Sequence, residues 1–327
     1  MSPEFAMLST VPQVLFNLML STPQSGLVNQ ARRRVLMKFR SLATRMGDPL
    51  VRWNLDGTDV MLPLSHNLPF YRKTFPQYSS NVARIAKHVY QKYPDLTFVD
   101  IGANIGDTVA ILRRACHFPI LCIEGNEEFF SVLKINTGRL RDVHLTRVFV
   151  GTDTGRVKAT MCSQGGTGHV VLDQSSAKAI QIQRLSDILK AQPIFARSKM
   201  IKTDTDGFDC QIIRSEMRLL NELRPVLLFE YDPHHFGRYG ETGFLVFESL
   251  LGIGYATAII YENNGDYVLT AELQNTALME DIHQFYSGRR GSRYADVCAF
   301  HRDDSDLCRA IRVAELEFFE RERSNRA

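Results

Sequence analysis

Phe98-Val-Asp-Ile-Gly-Ala-Asn-Ile-Gly-Asp107 is the stretch on which the fold turns. A short apolar run reads as a buried strand that ends in Asp100. A glycine-bearing loop then leads into a helix-like segment, Asp107 to Ala115. Gly102, with no side chain, lets a ligand lie against the backbone, and Gly106 allows a sharp turn into the helix. Dinucleotide-binding loops of the Gly-x-Gly-x-x-Gly kind are not matched, because Asn104 holds the middle position and the third glycine is missing.

The rest of the chain repeats this rhythm outward from residue 96. Strand-like runs recur at Thr97–Asp100, Ile120–Ile123, Leu145–Val150, Met200–Thr203 and Val226–Phe229. Helix-like segments lie between them at Asp107–Ala115, Glu127–Leu140 and Asp209–Leu223. Short, continuously apolar strands alternating with helices predict a doubly wound, mostly parallel α/β sheet covered on both faces. Between Gly151 and Ala196 the rhythm breaks into polar, β-like pieces, and Gly165-Gly-Thr-Gly168 reads there as a surface turn in preference to a flexible site loop. Farther on, a helix near Phe244–Leu251 precedes an antiparallel hairpin, Tyr255–Tyr261 and Tyr267–Leu273, around Asn263-Asn-Gly-Asp266. Asp304–Arg323 closes the chain as an amphipathic helix.

Before residue 80 the pattern is that of a helical and hairpin cap, so residues 1–80 are expected to form an extension and 81–327 the sheet domain. Val11–Leu20 and Val28–Met46 read as helices, and the run Arg32, Arg33, Arg34, Lys38, Arg40 in the second reads as a solvated face in preference to a lipid or nucleic-acid contact. Asp56-Gly57 sets a hairpin between Val51–Leu55 and Val60–Leu64. Asn81–Tyr93 has apolar residues at helical spacing before Pro94. Residues 1–6 read as a cloning remnant ahead of Met7.

Composition narrows the function classes. Of 327 residues, 44% are hydrophobic and 23% charged, an ordinary globular mixture, and the net charge of +3 argues against a chain devoted to nucleic acid. No apolar run is long enough for a membrane span. The six cysteines include no Cys-x-x-Cys pair, which speaks against structural zinc and for a reducing, cytoplasmic setting.

Two acids suggest what the loop at 102–106 holds. Asp100, two residues before the first glycine, is placed to meet a cationic amino group, which S-adenosylmethionine carries and NAD does not. Glu124 ends the next strand, where an ionised carboxylate suits the paired hydroxyls of an adenosine ribose. The candidate cofactor-binding set is therefore Asp100, Gly102, Ala103, Asn104, Gly106, Asp107, Thr108, Glu124 and Gly125, with Asp153 as an acceptor for the adenine amino group. A turn-forming role serves Asp153 nearly as well.

Ile201-Lys-Thr-Asp-Thr-Asp-Gly-Phe-Asp209 resembles the Lys-Ile-Asp-Val-Glu-Gly-Ala-Glu signature of FkbM-type methyltransferases, with Lys202, Asp204, Asp206, Gly207 and Asp209 in register. Val99–Gly106 and Arg224-Pro-Val-Leu-Leu-Phe-Glu230 resemble two further blocks of that family, so the likeness covers roughly residues 80–235. Two departures stand out: Asp replaces Glu at 206 and 209, and Gly125 replaces a common proline. The resemblance implies a class I methyltransferase, Rossmann-like in architecture. The implied reaction is methyl transfer from S-adenosylmethionine to a hydroxyl of a sugar, a glycan or a glycosylated natural product. Asp204, Asp206, Glu230 and His234 (or His235) become candidate catalytic residues at the strand ends. A non-sugar small molecule methylated at oxygen or nitrogen, and a nucleoside-binding protein without turnover, are the alternatives. The Asp-x-Asp-x-Asp-Gly calcium loop is not matched. Asp204, Asp206 and Glu230 offer oxygen ligands for magnesium, but no metal is assigned. Asp209 is expected to open a helix, and Tyr71, Tyr78 and Trp53 could either stack on a sugar or fill the core.

Overall fold

The structure, a computed structural model, describes residues 10–23, 25–172, 179–237, 243–288 and 293–326. The reading of residues 1–6 lies outside these. In chain order the strands among the described residues are β1 (Leu50–Leu55), β2 (Thr58–Pro63), β3 (Phe98–Ile101), β4 (Ile120–Ile123), β5 (Val143–Thr146), β6 (Phe149–Val150), β7 (Gly155–Gln164), β8 (Thr167–Leu172), β9 (Ala179–Gln183), β10 (Met200–Thr203), β11 (Val226–Tyr231), β12 (Tyr255–Glu262), β13 (Tyr267–Glu272) and β14 (Ala295–His301). Eight of them form one sheet in the order β13-β12-β14-β11-β10-β3-β4-β5. From β11 to β5 the pairing is parallel, while β14 runs antiparallel to both β11 and β12.

Side chains alternate across this sheet as the pleat requires. Val99, Ile101, Leu121, Ile123, Leu227 and Phe229 enter one core, with the helices Asp209–Ser215, Leu245–Gly252 and Thr276–Ser287 packed over it. Phe98, Ile120, Cys122, Val226 and Leu228 enter the other, beneath Ser80–Lys92, Asp107–Arg113 and Ser305–Arg326. Burial on both faces explains why the strands read as apolar runs without alternation.

The helix expected over Asp209–Leu223 is two, Asp209–Ser215 and Met217–Leu223. Glu216 lies buried between them because its carboxylate accepts from the Ser186 amide and hydroxyl and faces Arg184 Nε at 3.3 Å. The C-terminal hairpin β12–β13 forms as expected, yet β14 inserts between β11 and β12. Its near-complete burial hides any strand period in Ala295-Asp-Val-Cys-Ala-Phe-His301.

In the N-terminal segment, Asp56 and Gly57 both take positive φ (+50° and +96°) and close the β1–β2 hairpin as the sequence predicts. Val51, Leu55, Leu62 and Leu64 share a core with Ile105, Ile111, Phe129 and Val132. Asn136 clasps the hairpin, accepting from the Met61 amide at 2.7 Å and donating to its carbonyl at 2.8 Å. The basic run is not wholly a solvated face. Arg40 is buried and donates to the carbonyls of Leu64, Ser65 and His66 and to Asn67 Oδ1, so it staples residues 64–67. Cys116, Cys122, Cys210, Cys298 and Cys308 are buried and in no disulfide. Among the described residues, no helix is long and apolar enough to cross a membrane.

Candidate active site

The chain leaves β3 toward β4 but leaves the adjacent β10 toward β11, on the opposite side, so a crevice opens between their carboxyl ends. The two loops there touch. Asp204 N donates to Ile101 O at 3.0 Å, and a Cβ on Gly102 (φ +79°) would lie 1.8 Å from the Asp204 carbonyl oxygen. Glycine at 102 is thus demanded by a neighbouring backbone, beyond any need of a ligand. Gly102 N and Ala103 N both donate to Ile123 O, and Ala103 itself is packed into the core.

A cavity of about 340 Å³ opens on one side of this contact. Ile123, Phe129, Phe149 and Ile182 make its walls apolar; Glu124, Gly125 and Asp153 belong to its lining. Glu124 is buried with both oxygens engaged, Oε2 with Asn104 N at 2.9 Å and Oε1 with Asn126 N at 2.7 Å. Burial pushes its carboxyl up to about 7, against the pull of those amides. A Cβ on Gly125 would fall 2.3 Å from the Phe149 ring, which rules out proline there. Asp153 is exposed at the rim.

A second, polar cavity of about 110 Å³ shares Gly102, Asn104, Asp204 and Asp206 with the first. Asp107, Thr108, Lys202 and Glu230 also line it. Lys202 Nζ sits 3.1 Å from Asp204 Oδ2 and 3.4 Å from Asp100 Oδ1. Asp100 is fully buried and belongs to neither cavity wall, so the cation it meets is the protein's own lysine. At Asp204, burial works upward, but Lys202 and a hydrogen bond from Glu230 outweigh it and the carboxyl is lowered. Glu230 is pushed well above the carboxylate range by burial and then by Asp204, Asp206 and Asp209; it stays protonated and donates to Asp204. Burial, then Asp204 and Asp209, carry Asp206 up to about 7.

Asp206 (φ +54°) and Gly207 (φ +117°) form a left-handed turn that projects the acid. Asp209 opens the next helix, as expected, and also pins this turn: its Oδ1 accepts from Thr203 Oγ1 at 2.7 Å and from the Thr205 amide and hydroxyl at 3.0 Å.

His234 does not join the cluster. It is exposed and lines neither cavity, because its backbone caps onto Asp232 Oδ1. His235 is the ring turned inward, with Nδ1 3.2 Å from Asp232 Oδ2 and 3.7 Å from Glu230 Oε1. Glu230, Asp232 and His235 present ligand atoms within 4.8 Å of one another, a different trio from the one the sequence suggested for a cation.

The Gly165-Gly-Thr-Gly168 segment, expected to be a surface turn rather than a site loop, is the roof of the site. It is the tip of the β7–β8 hairpin, where Gly165 and Gly166 take positive φ. Asn104 Nδ2 donates to Gly166 O at 2.7 Å, and Asn67 N donates to Gly165 O at 2.8 Å. A Cβ on Gly166 would lie 2.7 Å from the His66 ring. His66, which the sequence did not single out, lines the polar cavity; burial pushes it down to about 4, so it is neutral. Its Nδ1 accepts from Leu68 N. Tyr71 and Tyr78 stack on each other at 5.7 Å and line the same cavity, whereas Trp53 packs among the apolar residues of the cap.

A doubly wound sheet with an antiparallel β14 inserted before β12, and a nucleoside-sized cavity at the switch point, defines a class I methyltransferase fold, Rossmann-like in architecture. Residues 100–262 match the Methyltransferase FkbM domain, which bears out the resemblance noted in the sequence. Among solved structures the chain is similar to methyltransferase FkbM from Methylobacillus flagellatus KT, with 16% identity, a TM-score of 0.36, and 58% of this chain and 54% of that one covered. It is also similar to precorrin-6y C5,15-methyltransferase from Geobacter metallireducens GS-15 (11% identity, TM-score 0.34, 67% and 86% covered). A third is spermidine synthase from Thermotoga maritima (10% identity, TM-score 0.37, 76% and 65% covered). The chain thus spans about half the length of the Methylobacillus structure. No curated protein compared with it matches.

Proposed function

We infer that this protein transfers a methyl group from S-adenosylmethionine to a hydroxyl of a sugar, in a glycan or glycosylated small molecule. The observation that carries this reading is the meeting of an apolar, nucleoside-sized cavity and a polar, acid-lined one at Asp204 and Asp206.

The residues present fit the cofactor. Ile123, Phe129, Phe149 and Ile182 form a slot for adenine, with Asp153 at its rim to accept from the amino group. Glu124 has lone pairs left for the two ribose hydroxyls after taking its two amides. Asp107 and Thr108, at the start of their helix, and the bare backbone of Gly102 flank the space beyond, where the amino-acid end would lie. When bound, S-adenosylmethionine supplies a methyl group on a positively charged sulfur, open to in-line attack.

The chain's part is to orient the acceptor and to take its proton. Asp206, with a carboxyl near 7, exchanges a proton at neutral pH and receives the one leaving the hydroxyl. Asp204, held ionised by Lys202, accepts a hydrogen bond from an adjacent hydroxyl, and Glu230 fixes Asp204 by donating to it. Vicinal hydroxyls are the chemistry of a sugar, and the tyrosine pair Tyr71–Tyr78 offers the ring an aromatic wall.

The test is incorporation of radiolabelled methyl into glycan and glycosylated-metabolite pools, with and without a chelator. Labelled sugar ethers are expected in both. Label only in sugar-free products would refute the acceptor, cofactor binding with no labelled product would leave a binding protein, and chelator-sensitive labelling restored by magnesium would place an ion on Glu230, Asp232 and His235.

A further inference from the structure

The helix Leu27–Arg45 buries one side against the cap, with Leu36 and Ala43 half-buried and Arg40 buried. On the side adjoining that face Val28, Val35, Phe39, Leu42 and, at the C-cap, Met46 are each more than half exposed. Taken at 3.6 residues per turn, Val28, Ala31, Val35, Phe39 and Leu42 fall within an arc of about 80° of the helix circumference. Arg32 borders that arc on one edge, and Lys38, Arg45 and Arg34 border it on the other. All four cations are exposed, and no carboxylate pairs with any of them among the described residues. The helix it packs on, Thr10–Ser21, is uncharged and adds an exposed stripe of its own, Val11, Val14 and Leu18.

The charge is local. Between Thr10 and Gly47 there are six Lys or Arg and no Asp or Glu, in a chain whose total is only +3. A cavity of about 220 Å³ between these helices and Leu68–Thr74 repeats the mixture: Arg33, Arg40 and Lys73 share its wall with Leu36, Met37 and Phe70, and no acid lines it.

We propose that this helical pair docks the protein on an anionic lipid bilayer, lying in the interface without crossing it. An apolar stripe flanked on both edges by long basic side chains suits that surface, since the stripe enters the acyl boundary while the cations stay at the headgroup phosphates. A second copy of the chain fits less well, because the face borders its stripe with four exposed cations and has no acid to meet them. Nucleic acid would leave the apolar stripe in water.

Sedimentation of the full chain with vesicles tests this. Phosphatidylcholine vesicles containing about 30% phosphatidylglycerol should carry down more than about tenfold as much protein as phosphatidylcholine alone, and high salt should weaken the binding. Phe39→Asp combined with Leu42→Asp should cut the bound fraction at least about tenfold with an unchanged melting temperature, since both positions are exposed. Val35→Ser is a milder second variant, and Arg32→Gln with Lys38→Gln should lower the preference for anionic vesicles. Absence of binding, equal binding to both vesicle types, or binding indifferent to these substitutions would overturn the proposal. So would a lipid-free dimer that Phe39→Asp and Leu42→Asp dissociate, because the stripe would then be a self-interface.

Discussion

5′-Methylthioadenosine should bind this protein about ten times more tightly at pH 8 than at pH 6, and Glu124→Gln should abolish the difference. The ligand carries adenine, the ribose diol and a neutral thioether, so its own charge does not change over this range. If its hydroxyls donate to Glu124, only the ionised carboxylate binds well. With the carboxyl raised to about 7 by burial, roughly one tenth is ionised at pH 6 and roughly nine tenths at pH 8. That ratio is about 1.4 kcal/mol of binding energy, readable by titration calorimetry. The free protein should respond in the opposite sense. A carboxyl raised above its unfolded value of 4.5 contributes stability that is fully present below 4.5 and lost as pH rises through about 7. Asp206, raised to about 7, and Asp107, raised to about 6, act in the same direction. The melting temperature without ligand should therefore fall from pH 5 to pH 8 while the increment given by ligand grows. Equal affinity at both pH values, or a slope that survives Glu124→Gln, would refute the placement of the ribose.

Other substitutions probe separate parts of the site. Asp206→Asn should lower kcat by about 10²–10⁴ with cofactor affinity retained, and should remove the limb of the pH–rate profile near 7. Gly125→Ala should displace the Phe149 ring and weaken S-adenosylmethionine binding on the order of tenfold, measured by calorimetry. Arg40→Met should strip the donor from residues 64–67 and destabilise the chain by about 2–4 kcal/mol in urea unfolding.

The parallel sheet was legible in the sequence because its strands are short apolar runs separated by helices, with Asp100, Glu124, Asp204 and Glu230 at their carboxyl ends. β14 was not, since burial on both faces leaves no period and its neighbours are distant in the chain. Of the candidate site residues, those on the loops after β3, β4 and β10 come together, as local motifs can predict. Asp100 and His234 depart for reasons no motif contains: Lys202 arrives from the neighbouring strand to cover one, and a capping turn points the other outward. The roof reads from sequence as a plain turn first and a site loop second for the same reason. Gly165 and Gly166 announce a tight turn, but His66, Asn67 and Asn104, on which the turn rests, lie about 60 or more residues away in sequence.

The resting of the β7–β8 tip on Asn104 and on the cap has a kinetic consequence. The proposed nucleoside chamber is walled by Gly168, Val170, Ile180 and Ile182 of a four-stranded sheet in the order β6-β9-β7-β8, while the proposed acceptor side is bounded by Tyr71, Tyr78 and Tyr294. The same hairpin borders both chambers, because Gly165, Gly166 and Thr167 at its tip line the acceptor side. If nucleoside and acceptor bind as proposed, lifting the tip off Asn104 should open both chambers at once and couple the exchange of one to the exchange of the other.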